Sequence, residues 1–256
     1  MRISLAPGLN ISPIGFGCMG MTAFYGAAMK TADGLELLRS VHTGGCTHFD
    51  TAEIYQQFTE VLPDTLKYNE ELVGEFLSTL PRDSFTVATK YFPGLHDGKC
   101  DFETVSAAVD ASLGRLKLDS IDVYYLHRMP ATVDLMEEWM ASMKRVVESG
   151  RVKHVGLSEA PADWIRRANA VHPVACVQQE WSLLSREPIE SQVVPICAEL
   201  GIGIVAYSPL ARNILALPDA EPPADWRAAH PRYQKDNFEA NRQLVQQVYM
   251  YYICNI

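Results

Sequence analysis

Short runs rich in β-branched and aromatic residues alternate with longer stretches of helical periodicity from about residue 14 to about residue 250, and no other feature limits the possible folds so strongly. Seven runs read as strands: SPIGFG (12–17), CTHFDTA (46–52), FTVATKY (85–91), SIDVYYLH (120–127), KHVGLSE (153–159), ACVQQEWS (175–182) and IGIVAYSPL (202–210). Nearly every run is followed by a helical pattern, over 31–43, 69–80, 101–116, 132–150, 161–171 and 188–200. Strands that each hand on to a helix pair in parallel, so the expected class is α/β with a parallel sheet.

Two helical segments carry their own boundary chemistry. Val105, Ala108, Val109, Ser112, Leu113 and Leu116 fall on one stripe, and Leu135, Trp139, Met143 and Val146 on another, at the i, i+3, i+4 spacing of an apolar helix face. Asp101 precedes the first as an N-cap acceptor, and Gly150 follows the second where a left-handed residue ends a helix. The Met and Trp positions read as core facing the sheet, not as a cofactor box.

Composition narrows the partners. With 48% apolar and 21% charged residues in 256, the chain can bury a large core, and nothing in it marks a linker, so one domain over 1–256 is expected. Lys plus Arg number 22 against 31 Asp plus Glu, a net charge of −9, which excludes an electrostatic footprint for nucleic acid and argues against anionic membranes. No apolar run approaches the ~18 residues that span a bilayer, and MRISLAPGLNISPIG lacks the pattern of a signal peptide, so a cytoplasmic protein is expected. The six cysteines, Cys18, Cys46, Cys100, Cys176, Cys197 and Cys254, are scattered without a CxxC pair, and His42 and His48 near Cys46 lack a second ligand group, so neither a disulfide scaffold nor a metal site is expected.

Gly15-Phe16-Gly17-Cys18-Met19-Gly20 matches GxGxxG after a strand. A dinucleotide fingerprint opens its helix at the third glycine, whereas here MTAFYGAAMKTADG intervenes and Asp50 comes too late to be the ribose acid. A tight strand-end loop is the better reading.

The chemistry-bearing side chains gather at strand ends: Asp50-Thr51-Ala52-Glu53-Ile54-Tyr55, Thr89-Lys90 and Leu126-His127-Arg128. GFGCMGM, FDTAEIY, ATKY, YYLHR, GLSEA, QQEWSLL and AYSPL, in this order over about residues 3–247, resemble the aldo-keto reductase family, with wording closest to its short-loop microbial and plant-like branch. The resemblance implies a parallel (β/α)8 barrel of the TIM type, whose sites lie at the carboxyl ends of the strands. It also implies reduction of aldehydes or ketones by a nicotinamide cofactor, NADPH by resemblance with NADH not excluded, and small-molecule carbonyl partners.

Carbonyl reduction by hydride needs a proton donor, and the resemblance gives that role to Tyr55, in a catalytic set with Asp50, Lys90 and His127. A free tyrosine has a pKa of ~10. The Lys90 ammonium against the hydroxyl is expected to lower it, Asp50 to hold Lys90 charged, and His127 to orient the substrate oxygen. Taken singly, Asp50 and Lys90 also fit a structural ion pair, Tyr55 a loop aromatic and His127 a strand-end packing residue. By resemblance Ser158 and Gln179 meet the carboxamide, Tyr207 stacks on the nicotinamide, Ser208 and Leu210 begin the pyrophosphate loop, Cys18 and Met19 touch the nicotinamide ribose, and Asp50 borders the same cofactor. Glu159 stands where many members have Asn, and an anion there cannot donate to the carboxamide oxygen.

Two departures stand out. QQFTEVLPDTLKY lengthens the loop between Tyr55 and Asn69, either to shape substrate access or as an inert surface excursion. After PADWRAAHPRYQKDNFEANRQLV, which fits the approach to a seventh helix, the atypical tail 248–256, ending in YMYYICNI, has no recognisable eighth strand or helix, so the barrel is expected to be incomplete. Two further functional readings therefore stay open: a nicotinamide-binding interaction subunit that senses redox state, and a catalytically impaired, truncated reductase.

Overall fold

The computed structural model describes residues 2–58, 61–216, 221, 223 and 226–254. A hairpin, β1 (Ile3–Ala6) and β2 (Leu9–Ile11), precedes seven parallel strands: β3 (Phe16–Gly17), β4 (His48–Asp50), β5 (Thr86–Tyr91), β6 (Ile121–Leu126), β7 (Val152–Ser158), β8 (Val174–Glu180) and β9 (Gly203–Tyr207). They pair in chain order, β3 to β9, as one sheet curled into a nearly closed barrel. The helices are α1 (Thr31–Thr43), α2 (Asn69–Leu77), α3 (Phe102–Leu116), α4 (Val133–Glu148), α5 (Ala162–Val171), α6 (Val194–Leu200) and α7 (Lys235–Cys254).

Central strands explain the lack of polar alternation in the sequence. All six residues of β6 are buried, because one face packs inside the barrel and the other against helices. The apolar stripes named above face that outer layer: Val105, Val109, Leu116, Trp139, Met143 and Val146 are fully buried, while Leu135 lies at its margin. Asp101 accepts a hydrogen bond from the Thr104 backbone N–H at 3.0 Å, which caps α3, and Gly150 follows α4 at φ 81°.

The hairpin was not anticipated from the sequence. Pro7-Gly8, with Gly8 at φ 80°, turns the chain so that Ala6, Leu9 and Ile11 pack on Ala88, Val123, Tyr125 and Cys176. These apolar residues fill the barrel interior beneath the strand ends. Only Phe16 and Gly17 of the expected strand 12–17 pair, with Phe49 and Asp50.

Among the described residues no eighth strand follows β9, and β3 and β9 are the two edges of the sheet. The segment 248–254 continues α7 and is no strand. That helix packs through Val245 and Tyr249 on the turns of Ala211–Ala216, where the Tyr249 hydroxyl donates to the Ala216 carbonyl at 2.9 Å. No helix among the described residues is long and apolar enough to cross a membrane.

Gly74 sets how closely α2 and α3 approach. A Cβ there meets the Arg115 carbonyl oxygen at 2.4 Å and the Leu116 Cα at 2.7 Å, both backbone atoms that cannot swing aside. Gly74→Ala is therefore expected to destabilise by about 1–3 kcal/mol or more. A thermal melt within about one degree of wild type contradicts this account.

Candidate active site

The carboxyl ends of the strands surround a cavity of about 640 Å³. Its lining includes Asp50 from β4, Ile54 and Tyr55 from the loop after it, Phe92 from the end of β5, His127 and Arg128 after β6, Ser158 of β7, Gln178 of β8, and Tyr207 and Ser208 at the end of β9. They come from the ends of six successive strands, β4 to β9, because parallel strands point all their carboxyl termini the same way. Gly17, Met19, Gly20, Phe24, Tyr25 and Arg212 complete it.

Lys90 sits beneath this lining with its side chain only 1% accessible. It is ion-paired to Asp50 Oδ1 and donates to the Thr51 carbonyl at 2.7 Å, and its Nζ lies 5.2 Å from the centroid of the Tyr55 ring. Burial, the largest single influence, favours the neutral amine, yet the charges of Asp50 and Tyr55 and the hydrogen bonds to both together outweigh it and raise the Lys90 pKa. Asp50 is held from the other side by Gln178, whose Nε2 donates to Oδ2 at 2.9 Å.

Tyr55 corrects an expectation. Its pKa is raised above 10, not lowered: burial of the phenol outweighs the opposing charge and hydrogen bond of Lys90. Low-dielectric surroundings penalise the phenolate more than one nearby ammonium compensates, particularly since Asp50 already neutralises that ammonium. His127 meets the Tyr55 ring edge-on at 5.5 Å and Phe92 at 5.8 Å. Burial, with Lys90 and Arg128 adding to it, drives the imidazole pKa well below 6.5, so the ring is neutral at physiological pH. Its Nδ1 is buried without a hydrogen-bond partner.

Of the remaining expected residues, Met19, Ser158, Tyr207 and Ser208 line the cavity. Three do not. Cys18 is fully buried, its thiol donating toward the Phe16 carbonyl at 3.7 Å, and the Leu210 side chain is 54% exposed. Gln179 points to the opposite face of β8, where its Nε2 donates to the Ala160 carbonyl at 3.0 Å. Successive residues of a strand face opposite sides, so of the adjacent glutamines only Gln178 can share the cavity face with Cys176, which contacts Tyr125 inside the barrel. The alternation Cys176-Val177-Gln178-Gln179 carried this signal.

Glu159, in the left-handed region at φ 58°, accepts from the Glu180 backbone N–H at 2.9 Å and is absent from the cavity lining. The long excursion after Tyr55 folds on itself: Gln57 N–H donates to the Lys67 carbonyl at 2.9 Å, and Asp64 O accepts from Thr31 N–H at the start of α1. None of its described residues lines the cavity, whose lining instead takes in Phe24 and Tyr25.

Comparison with known proteins gives the family. The aldo/keto reductase family model matches residues 13–251. The chain belongs to the aldo/keto reductase family. It is 40% identical over 249 residues to the protein named Probable aldo-keto reductase 1 of Glycine max, covering 94% of this chain and 69% of that protein. An aldo-keto reductase from Klebsiella pneumoniae in complex with NADPH is 25% identical, with a TM-score of 0.68 over 83% of this chain and 69% of that one. The fold is also that of a glycerol dehydrogenase from Gluconobacter oxydans, at 22% identity and a TM-score of 0.78 over 94% of this chain and 75% of that one. The activity is that of the family, hydride transfer between a nicotinamide cofactor and an aldehyde or ketone.

The cavity fits a nicotinamide on its own chemistry. A carboxamide needs one acceptor and one donor; Ser158 offers a buried hydroxyl, and Gln178, with Nε2 committed to Asp50, leaves its Oε1 as acceptor. Tyr207 supplies an aromatic surface at the end of β9.

Proposed function

We propose that this chain reduces aldehydes and ketones with NADPH, Tyr55 giving the proton to the carbonyl oxygen and His127 holding that oxygen in line. When bound, the cofactor supplies a hydride to the carbonyl carbon. The carbonyl π pair then moves onto oxygen, which takes the Tyr55 proton, and the Lys90 ammonium stabilises the phenolate left behind. Asp50 keeps Lys90 charged and fixed. His127, neutral at working pH, donates a hydrogen bond to the developing oxyanion, an interaction strongest in the transition state. Ser158 and Gln178 hold the carboxamide, with Tyr207 against the nicotinamide ring and Met19 and Ser208 at its borders.

The observation that carries the reading is the meeting of Tyr55, His127 and the Lys90–Asp50 pair at a cavity that also takes in Ser158, Gln178 and Tyr207. The naming of NADPH rests on the Klebsiella pneumoniae relative, which is a complex with NADPH. The test is consumption of reduced nicotinamide by the purified chain with a reactive aromatic aldehyde, each cofactor supplied separately. Aldehyde-dependent consumption with NADPH is expected; none with either cofactor refutes the reading. Gln178→Ala is expected to raise the KM for NADPH about tenfold, the loss of one or two hydrogen bonds. Gln179→Ala, on the far face of β8, is expected to shift that KM less than about twofold, and the reverse ranking rejects the assignment.

A further inference from the structure

We infer that Arg128 selects the substrate, and that the site prefers carbonyl compounds carrying a carboxylate on a flat apolar body; this rests on the carbonyl-reduction reading above. Charges around the cavity single out this residue. Asp50 is neutralised by Lys90, and Arg212 is paired at 2.8 Å to Glu180, a carboxylate it shares with Arg232. Arg128 lines the same cavity, and among the described residues no acidic side chain lies within ion-pair distance of it. Among the described residues, a cation with no carboxylate partner thus stands at a cavity whose other contacts include Phe24, Ile54 and Phe92.

The guanidinium is also held in place. Its Nη1 donates to the His127 carbonyl at 2.9 Å and lies 3.4 Å from the Ser158 hydroxyl. Fixing one nitrogen reduces the rotamer entropy lost on binding and leaves Nη2 and Nε for a planar acceptor, to which a guanidinium forks as a carboxylate requires. Arg128 directly follows His127 in the chain, and its charge is felt at Tyr55, His127 and Tyr207. A substrate whose carbonyl oxygen meets Tyr55 and His127 therefore has the cation beside it, and the aromatic walls match a planar body between the two polar ends. A carboxylate is the anion of choice because it satisfies the fork with a single charge, equal and opposite to that of the free cation.

The test compares para-formylbenzoate with para-methylbenzaldehyde, which differ in the carboxylate and little in size. Initial rates with NADPH and calorimetric binding of each aldehyde are measured for wild type, Arg128→Met and Arg128→Lys. Wild type is expected to favour the formylbenzoate by about tenfold in kcat/KM, mainly through KM, as one charge-assisted hydrogen-bonded contact at a partly hydrated site provides. Arg128→Met is expected to erase that ratio, and Arg128→Lys to keep part of it, since the charge survives without the fork. Equal use of both aldehydes by wild type, or a ratio that Arg128→Met leaves unmoved, overturns the proposal. If Arg128→Met weakens NADPH binding and leaves the ratio intact, Arg128 serves the cofactor and the proposal is likewise overturned. Failure of wild type to turn over either aldehyde counts against the reductase reading instead, and the calorimetric preference still decides the role of Arg128.

Discussion

Tyr55→Phe is expected to lower aldehyde reduction by about a hundred- to ten-thousandfold, the usual contribution of a positioned general acid, with NADPH affinity close to wild type. The ring, and with it the edge-on contact to His127, survives the substitution; only the proton is lost. The pH dependence should follow from the same burial. Because the Tyr55 pKa is raised above 10, the phenol is protonated throughout the neutral range, so wild-type reduction is expected to be flat from about pH 6 to 9 and to fall only on the alkaline side. Alcohol oxidation needs the phenolate and is expected to rise with pH over the same range. His127, its pKa displaced well below 6.5, adds no limb near neutrality. Reduction rates that match wild type in Tyr55→Phe, or a reduction profile that falls between pH 6 and 8, would remove Tyr55 from the role of acid.

Strand and helix order was legible because the hydrophobic period changes sharply at each boundary, and because caps such as Asp101 and Gly150 mark helix ends with side-chain and backbone chemistry of their own. The hairpin escaped notice since β1 and β2 are only four and three residues long, too short to display a period, although Pro7-Gly8 is a turn signal. Its role as a plug is set by contacts with Ala88, Val123 and Tyr125, residues far off in sequence, and such contacts leave no local trace.

For the site, residue types at the strand ends were readable while orientation and energy were not. Asp50, Tyr55 and His127 reach the cavity and Lys90 lies buried against Asp50, as the strand-end pattern suggested. The choice between Gln178 and Gln179 turned on which face of β8 looks inward, which Cys176 decides only once its contact with Tyr125 is seen. Similarly, the sign of the Tyr55 shift depends on how completely the phenol is dehydrated, a quantity that belongs to the packed molecule. Pairwise logic about Lys90 accounted for the attraction and left out the larger opposing cost.

Lys90→Met is expected to have the second-largest effect, and on two observables. Removing the ammonium leaves the Asp50 carboxylate, whose side chain is 15% accessible, with the Gln178 amide as its one remaining hydrogen-bond partner among the described residues. Breaking a buried pair from one side costs about 3–5 kcal/mol, which for a protein of this size lowers the melting temperature by roughly 10 °C. The double variant Lys90→Met/Asp50→Asn should recover part of that loss, because the stranded charge is gone as well. The sign with pH follows from the raised Lys90 pKa: the pair's contribution is fully present below the unfolded-state lysine value of ~10.4 and is lost as pH climbs through the higher folded value. The stability gap between wild type and Lys90→Met should accordingly hold constant from neutral pH to about pH 10 and narrow above it. Turnover, by contrast, should stay low in the double variant, since Asp50→Asn restores no cation beside Tyr55. Recovery of activity together with stability would mean that Lys90 serves only to hold the barrel interior, and that the phenolate left by proton transfer is stabilised by some other group.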